Sequence, residues 1–356
     1  MKFIHIADVH LGVRPEAGKA YSEKRDTEIW ETFRKIIMIC EEEKTDLLLI
    51  AGDLFHRQPL LRELKEVNDM FGSLSHTEVV MIAGNHDYIK PGAYYGRFDW
   101  EPNVHMLAGK EPSEVQIPKL KTSVCGCSYH ERKITETLYD KALPSGEMDY
   151  EILLLHGGDK EHLPIDKAKI EKLGYDYTAL GHIHKPTCLI PGKAAYAGAL
   201  EPTDINDTGK HGYIRGEITK EGCRFTFVPF ATREYVHLAL NVKVEMSGFS
   251  LRNVIQKTIE ENGKENIYKF LLKGYRDPEI RFDLTQMDVY GNIAEITDET
   301  KPAYDFEKLY EKNKDNLLGS YIASFANAEK DSMEYEALCA GVLALMETKG
   351  ESYEDS

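Results

Sequence analysis

The sequence lacks several features that would place it in a specialised class of protein. Its 356 residues contain only six cysteines, without a CxxC pair, and Cys125 and Cys127 form the only close pair. A disulfide framework or a zinc ribbon is therefore not expected. The longest apolar runs, such as 47–51, fall far short of the roughly 18 residues that span a bilayer. The N-terminal stretch is too short and polar for a signal peptide, so we expect a cytoplasmic protein without a membrane segment.

Positive charge is also scarce. The chain has 44 Lys and Arg against 60 Asp and Glu, a formal net charge of −16. Taken alone, this balance argues against a surface coated with phosphate-binding side chains. The proportions of hydrophobic residues (42%) and charged residues (29%) are otherwise typical of a soluble globular protein. The length predicts about two domains with a core that needs no disulfide or metal support.

Short apolar runs alternate with helix-like segments over the first half of the chain. Helices are predicted over 27–43 and 60–74, and strands over 3–7, 47–51, 79–83, 152–155 and 177–180. This alternation is typical of an α/β domain. A stretch richer in β-structure follows over 194–230.

The pattern changes near Arg233. Strands over 237–246, 268–274, 280–284 and 288–296, with a helix over 251–261, predict a small α+β unit. Pro302 then breaks the chain, and residues 304–348 are helical in character. We therefore predict three domains, over residues 1–232, 233–301 and 302–356.

Five short polar motifs each follow directly on an apolar strand-like run. In chain order they are DVH at 8–10, GDLFH at 52–56, GNHD at 84–87, HGG at 156–158 and GHIH at 181–184. Loops at the carboxyl ends of strands in α/β sheets converge at one edge, so these motifs would bring Asp, Asn and His together. One such residue alone is usually a cap or a loop residue, whereas five in this order indicate a shared site.

The residue types in these motifs suit a site for two divalent metal ions. Carboxylate, imidazole and amide oxygen fit Mn²⁺, Fe²⁺ or Zn²⁺ and exclude a thiolate site. Two ions about 3.5–4 Å apart can share one carboxylate, and a bound metal lowers the pKa of water to around 7. The resulting hydroxide could attack a phosphorus atom in line. The motifs thus predict hydrolysis of a phosphate ester.

The motif series resembles that of the calcineurin-like metallophosphoesterases, over roughly residues 1–230. The opening FIHIADVHLG and the segment GDLFHR are similar to the DNA repair exonucleases related to the nuclease subunit of SbcCD. The resemblance implies an α/β four-layer sandwich, with two central β-sheets flanked by helices. It also implies a small α+β capping domain and a helical C-terminal tail.

The resemblance implies a role for each motif residue. The first metal ion would be held by Asp8, His10 and His184, the second by Asn85, His156 and His182, and Asp53 would bridge both. Two divalent ions are implied, with Mn²⁺ favoured. Three further residues would be catalytic: His86 would protonate or stabilise the leaving oxygen, Asp87 would orient His86, and His56 would stabilise the transition state or place the DNA.

The implied activity is that of a DNA exonuclease in double-strand-break repair, with possible endonuclease activity at ends or hairpins. Candidate DNA contacts are Arg14, Arg57, Lys90 and Arg97. Aromatic residues between 88 and 100 are interleaved with them, which suits a nucleic acid backbone and stacked bases. A solvated loop with packed aromatics is equally compatible with this segment.

Partners are also implied by the resemblance. In the family, C-terminal helices dock on the coiled coil of an SMC-like, ABC-type ATPase subunit, which makes 304–346 the expected partner site. Alternatively, the apolar residues of 304–346 could pack against the core of the chain itself. A homodimer is expected as well. Two other functions stay open: a metallophosphoesterase acting on a phosphoprotein or nucleotide, and a non-enzymatic scaffold for DNA ends.

Overall fold

The computed structural model describes residues 1–330 and 332–351. The chain forms two compact units. The first comprises Met1–Val236 and Lys264–Tyr268, and the second comprises the rest of the described chain. The division into three domains at residues 232 and 301 stays a prediction.

The first unit contains two six-stranded sheets. One has the order β12-β11-β1-β2-β3-β4 and the other the order β5-β6-β7-β8-β10-β9. Their strands are β1 (Lys2–Ile6), β2 (Leu47–Ala51), β3 (Glu78–Ile82), β4 (Val104–Met106), β5 (Ser113–Ile117), β6 (Thr122–Gly126), β7 (Tyr150–His156), β8 (Tyr177–Gly181), β9 (Thr187–Ile190), β10 (Ala194–Tyr196), β11 (Gly212–Thr219) and β12 (Gly222–Pro229). The helices of this unit are α1 (Ser22–Glu42), α2 (Leu61–Gly72) and α3 (Lys167–Lys172).

Alternate residues of the central strands pack on opposite faces of their sheets. Leu47 and Leu49 of β2 share a buried cluster with Ile152 of the other sheet, whereas Leu48 and Ile50 pack with residues of α1 and α2. A third cluster lies on the outer face of the second sheet, beside α3. The layers are therefore helix, sheet, sheet and helix, which confirms the predicted four-layer α/β sandwich.

The parallel core strands explain why the sequence pattern was informative. Every residue of β2 is buried because both faces of its sheet are covered, so the strand appears as an uninterrupted apolar run. The predicted bounds of α1 were less accurate. It begins at Ser22, before the predicted Thr27, because its first turns bury polar residues, among them Ser22 and Arg25, which an apolar periodicity does not detect.

The second unit begins with a small sheet and one helix. The sheet has the order β13-β14-β15, and β16 pairs with β14. These elements are β13 (Tyr235–Val242), α4 (Gly248–Asn262), β14 (Ile267–Arg276), β15 (Ile293–Asp298) and β16 (Lys301–Pro302), and the first two residues of β13 and of β14 belong to the first unit. The strand predicted over 280–284 is wrong. A 3₁₀ turn begins there at Leu284 instead, because the Asp283 carboxylate accepts a hydrogen bond from the backbone N–H of Thr285.

The tail is helical, as predicted. It consists of α5 (Phe306–Asn313), α6 (Leu317–Ser324) and α7 (Met333–Glu351). Leu318 and Ile322 of α6 pack against Leu338 and Val342 of α7 in a buried cluster. Part of the apolar surface of the predicted partner site, 304–346, is therefore covered by the tail itself. None of the helices in the described ranges is long and apolar enough to cross a membrane.

Candidate metal centre

The carboxyl ends of five strands deliver the motif residues to one place. The register explains this convergence, because Ile6 of β1 lies beside Ile50 of β2 and His156 of β7 lies beside Gly181 of β8. Within each sheet, neighbouring strands thus end side by side. The side chains at these strand ends, or within three residues of them, are Asp8, Asp53, Asn85, His156 and His182.

Four of the predicted ligands have a left-handed backbone conformation. The φ angle is 48° at Asp8, 53° at His10, 50° at Asp53 and 90° at His182. Residues with a Cβ seldom adopt this region, and it persists only where the surroundings enforce it. Here the first two loops are tied together, because Asp8 N–H donates to Gly52 O (3.2 Å) and His10 N–H donates to Asp53 O (3.0 Å).

One group of ligand atoms is formed by Asp8, His10 and His184. Their ligand atoms all lie within 4.8 Å of one another. The Nε2 atoms of His10 and His184 are 3.2 Å apart. The Asp8 carboxylate also accepts two hydrogen bonds from His182 N–H, at 2.9 and 3.1 Å, which ties β1 to the loop after β8.

A second group is formed by Asn85, His156 and His182. Asn85 Oδ1 lies 2.9 Å from His156 Nε2 and 3.1 Å from His182 Nδ1. Asp53 Oδ2 lies 3.4 Å from His156 Nε2 and 3.9 Å from His10 Nε2. Asp53 thus lies between the two groups, in the position of a ligand that both could share.

Two glycines make this close approach possible. A Cβ atom at Gly84 would lie 2.2 Å from Asp53 Oδ1, and one at Gly52 would lie 2.4 Å from His156 Nδ1. Neither side chain has room to move, since Asp53 and His156 are both buried. Any larger residue at position 52 or 84 would displace a ligand.

The donor atoms fit divalent cations. His156 Nδ1–H donates to the carbonyl oxygen of Ala51 (2.8 Å), so that in the neutral imidazole, the form that binds a metal, the lone pair of Nε2 faces Asn85 Oδ1. His182 Nε2–H donates to Asp159 (2.9 Å), which leaves the Nδ1 lone pair facing the same oxygen. Lone pairs that converge in this way repel one another unless a cation lies between them. The set of imidazole, carboxylate and amide donors is one that Mn²⁺, Fe²⁺ or Zn²⁺ accepts.

The charges of the site also favour a bound cation. Burial disfavours a charged imidazole at His156, but Asp53 and Asp8 outweigh it and raise its pKa to about 9. At His184, burial is likewise outweighed by the hydrogen bond to Asp207 and by Asp8, and the pKa rises to about 9. A field that retains a proton in this way also attracts a metal cation.

Two carboxylates outside the motifs orient the ligand imidazoles, and we did not predict either of them from the sequence. Asp207 Oδ2 accepts a hydrogen bond from His184 Nδ1 at 2.9 Å, and the turn at 203–204 donates backbone N–H groups to the same oxygen. Asp159 holds His182 and also accepts from His162 Nδ1. Carboxylates of this kind fix the tautomer of a ligand histidine.

His86 and His56 stand beside the ligand groups. Their ring centroids are 5.0 Å apart, and the His86 ring lies 4.9 Å from that of His10. His86 is exposed, and its Nδ1 lies 3.1 Å from the carbonyl oxygen of His56. Its backbone N–H donates to Asp53 Oδ1 at 2.9 Å. Burial and the neighbouring His86 lower the pKa of His56.

The predicted orientation of His86 by Asp87 requires correction. The Asp87 carboxylate is fully buried and accepts hydrogen bonds from the backbone N–H groups of Gly84 (2.7 Å) and Phe55 (3.1 Å) and from the Tyr95 hydroxyl (3.2 Å). The two side chains point away from each other, one into the core and one to solvent. Asp87 therefore shapes the loop that carries His86, and the carbonyl oxygen of His56 orients the ring.

The predicted DNA contacts differ in availability. Arg14 is exposed, and Lys90 lines a cavity beside His86. Arg57 is held by both carboxylate oxygens of Glu63, at 2.7 and 3.0 Å, and Arg97 donates to Gly92 O at 3.1 Å. Most of the interleaved aromatics pack in the core of the first unit instead of facing solvent: Tyr95, Phe98 and Trp100.

Comparison with known proteins adds a family and several relatives. The model of the calcineurin-like phosphoesterase family matches residues 1–186, more than half of the chain. An uncharacterized metallophosphoesterase of Bacillus subtilis, YhaO, is 29% identical over 248 residues, which cover 64% of this chain and 60% of the relative. A DNA double-strand break repair protein Mre11 of Methanocaldococcus jannaschii is 30% identical over 244 residues, 65% of this chain and 63% of the relative.

A longer match exists at lower identity. The DNA double-strand break repair protein Mre11 of Sulfurisphaera tokodaii is 25% identical over 364 aligned residues, which cover 92% of this chain and 89% of the relative. The first two matches, in contrast, span less than two thirds of the relatives' length.

Proposed function

Because the chain belongs to the calcineurin-like phosphoesterase family, we propose that it is a metal-dependent nuclease that hydrolyses phosphodiester bonds of DNA. The observation that carries the proposal is the meeting of two groups of ligand atoms around Asp53, with His86 exposed beside them. The choice of DNA is supported by relatives that are named for double-strand break repair. We propose exonuclease action, with endonuclease action at ends or hairpins.

Seven residues would hold the metals in this proposal. Two divalent ions, when bound, would activate a water molecule and offset the charge of the scissile phosphate. We propose Mn²⁺ as the ion. The ligands are Asp8, His10, Asp53, Asn85, His156, His182 and His184.

His86 is the proposed proton donor to the leaving oxygen. Since its Nδ1–H donates to the carbonyl oxygen of His56, Nε2 is the atom that can carry a proton toward the substrate. Imidazole suits this task because its ordinary pKa lies near neutral pH. His56 lies beside it and would help to stabilise the charge of the transition state.

The direct test compares wild type with the variants His86→Ala and His76→Ala, where His76 is a half-exposed surface histidine paired with Asp46. End-labelled double-stranded DNA and bis(p-nitrophenyl) phosphate are the substrates, with Mn²⁺ present. Loss of a general acid costs about 10²–10⁴-fold in rate. We expect this loss on DNA for His86→Ala, and a smaller one on bis(p-nitrophenyl) phosphate, whose p-nitrophenolate can leave without a proton. Metal content should be unchanged by atomic absorption, and His76→Ala should cleave both substrates at wild-type rates.

Two outcomes would count against the proposal. Cleavage by His86→Ala at the wild-type rate would exclude His86 as the proton donor. A wild-type protein that hydrolyses a phosphopeptide or a nucleotide monoester rapidly, and leaves DNA intact, would favour the alternative of a phosphatase in the same family.

We also propose that the C-terminal helices bind an SMC-like, ABC-type ATPase, that the chain forms a homodimer and that it works in the cytoplasm. Support for the partner site comes from an apolar groove of about 460 Å³ on the tail. Its lining includes Phe306, Tyr310, Ile322, Phe325, Tyr335 and Leu338. Leu317 and Met333 are nearby in the chain and are 71% and 83% exposed.

A further inference from the structure

A cavity of about 550 Å³ opens beside the proposed proton donor. Three loops form its wall: the loop after β2, which carries His56, the loop after β3, which carries His86, and the loop after β6, which carries Arg132. The side-chain amide of Gln58 donates to the carbonyl oxygen of Tyr88 at 2.7 Å, which ties the first two loops together. The remaining polar lining residues are Arg57, Asn85, Lys90 and Arg132.

Two of the cations in this lining are uncompensated. Arg57 is neutralised by Glu63, and Lys133, next to Arg132 in the chain, pairs with Glu161 at 2.6 Å. Within residues 1–330 and 332–351, by contrast, no ion pair or hydrogen bond engages the guanidinium of Arg132 or the ammonium of Lys90. Lys90 Nζ lies only over the Tyr88 ring, 5.3 Å from its centroid.

Cations without an ion pair also occur elsewhere on the described chain, but these two line one cavity, although the net charge is −16. Two such charges in one cavity provide an anion site, and the guanidinium fork of arginine matches the oxygens of a phosphate. The position identifies the phosphate. Because the cavity adjoins His86, it would receive the part of the substrate that departs with the leaving oxygen.

We propose that Arg132 and Lys90 bind the phosphate that neighbours the scissile one on the leaving-group side. This inference rests on the proposed nuclease function and adds a rule of specificity to it. The site selects phosphodiesters whose leaving group carries a further phosphate, as in a nucleic acid strand, over small diesters that lack one.

The test uses four proteins: wild type, Arg132→Ala, Arg132→Lys and the control Lys133→Ala, which removes the same charge from the same loop. Each is assayed with Mn²⁺ on a short deoxyoligonucleotide and on bis(p-nitrophenyl) phosphate, whose leaving group has no phosphate. Loss of one charge-assisted hydrogen bond weakens binding about tenfold or more. We expect Arg132→Ala to raise KM for the oligonucleotide by this factor, with kcat and the small diester unaffected.

Binding without cleavage provides a second readout. Fluorescence anisotropy with a labelled oligonucleotide, without added metal, should show about tenfold weaker binding by Arg132→Ala. Arg132→Lys should retain part of the affinity, and Lys133→Ala should bind as wild type does. A drop in affinity for Lys133→Ala equal to that for Arg132→Ala would overturn the proposal, because the effect would then be one of net charge.

The two levels of the proposal can fail separately. If wild type cleaves the oligonucleotide and Arg132→Ala does so with the same KM, the phosphate site is wrong and the nuclease function stands. If Arg132→Ala loses both substrates equally, the residue supports the site as a whole and the specificity rule is wrong. If wild type cleaves neither substrate, the nuclease function fails, and an anisotropy difference confined to Arg132→Ala still supports the anion site.

Discussion

Asp207 shows how one carboxylate outside the motifs controls a proposed ligand. Its hydrogen bond with His184 Nδ1 leaves Nε2 as the only nitrogen with a lone pair, and this atom faces His10. Burial opposes the charge of Asp207, but the hydrogen bond from His184 prevails and lowers its pKa to about 2. The carboxylate is therefore charged at every pH at which the site would bind metal.

We expect Asp207→Asn to weaken metal binding about 10–100-fold, the usual effect of losing a carboxylate behind a ligand histidine. Isothermal titration with Mn²⁺ measures this directly. The matched control is Asp204→Asn, in the same turn, whose carboxylate accepts hydrogen bonds from Asn206. Equal effects of both variants would show that the turn, and not the contact with His184, is responsible.

His5 is a buried histidine that the proposed chemistry does not use. Its Nδ1 lies 2.9 Å from the Tyr177 hydroxyl, and it is fully buried on β1. Burial lowers its pKa to about 3 from an ordinary value of 6.5, although the backbone of Leu180 opposes the shift. The unfolded chain therefore takes up a proton below pH 6.5 that the folded chain rejects until about pH 3.

This difference makes the fold sensitive to acid. The contribution of His5 is complete above pH 6.5 and is lost progressively as the pH falls toward 3. We expect wild type to lose up to about 1.4 kcal/mol more per pH unit than His5→Gln in this window. Urea unfolding at pH 7, 5 and 4 measures the slope. The control His76→Gln, at an exposed histidine, should keep the wild-type slope. If the unfolding free energy of His5→Gln fell with pH as steeply as that of wild type, the assignment to His5 would be contradicted.

The sequence predicted the position of a site residue correctly wherever that residue lies at the end of a strand. The motif residues of each sheet lie together because its parallel strands end at one edge, which periodicity can predict, whereas the meeting of the two sheets at this site depends on the tertiary fold. Asp207, Asp159 and Arg132 were missed because each lies in a loop that reaches the site only through the tertiary fold. The error at Asp87 has a similar origin, since adjacent residues of a tight loop direct their side chains to opposite sides.

Helix α1 illustrates the element scale, because a buried ion network fixes its first turns. Arg25 Nη1 donates to Glu28 (2.8 Å), and Nη2 donates to Glu201 (3.1 Å) and to the carbonyl oxygen of Pro202 (2.9 Å). Arg25 and Glu201 are completely buried. The second oxygen of Glu201 accepts from the Thr32 hydroxyl at 2.7 Å. The network joins α1 to the segment that follows β10.

We expect Arg25→Ala to lower the free energy of unfolding by about 3–5 kcal/mol, because it leaves Glu201 buried and unpaired. The control Arg34→Ala, on the same helix, breaks a half-exposed pair with Glu66 (2.5 Å) and should cost about 1 kcal/mol or less. Chemical denaturation gives both values. The double variant Arg25→Met/Glu201→Gln should recover part of the loss, and no recovery would show that the charge is not the cause.

The same network explains why the start of α1 was predicted too late. Ser22 and Arg25 are polar residues on the buried face, so an apolar periodicity overlooks them. Short elements such as β4, with three residues, also lack enough length for a period to appear. Long buried strands were predicted well, and elements held by polar side chains or by pairing with distant strands were not.

For the whole molecule, the net charge of −16 and a DNA substrate are compatible. Asp8 and Asp53 belong to the candidate metal centre, where divalent ions would neutralise them. The two cations beside His86 would bind DNA at one point only, according to our proposal. We therefore propose that a partner supplies much of the DNA affinity of the complex.

The tail offers the test of that partner. We expect Tyr310→Asp, in the apolar groove, to abolish co-purification with a co-expressed SMC-like ATPase and to leave nuclease activity unchanged. Phe249→Asp is the control, because it adds the same charge at a 74% exposed aromatic on α4 of the same unit. Melting temperatures of both variants should match wild type. Retained co-purification of Tyr310→Asp, or an equal loss with Phe249→Asp, would contradict the assignment of the groove.

The left-handed residues at the strand ends have a consequence for protein engineering. Asp8, His10, Asp53 and His182 hold unfavourable backbone angles at the positions where the proposed chemistry takes place. Burial and the charge of Asp53 also raise the pKa of Asp8. A directed-evolution screen for heat resistance in chelator would therefore enrich glycine or asparagine at these positions, and its best survivors would be inert enzymes.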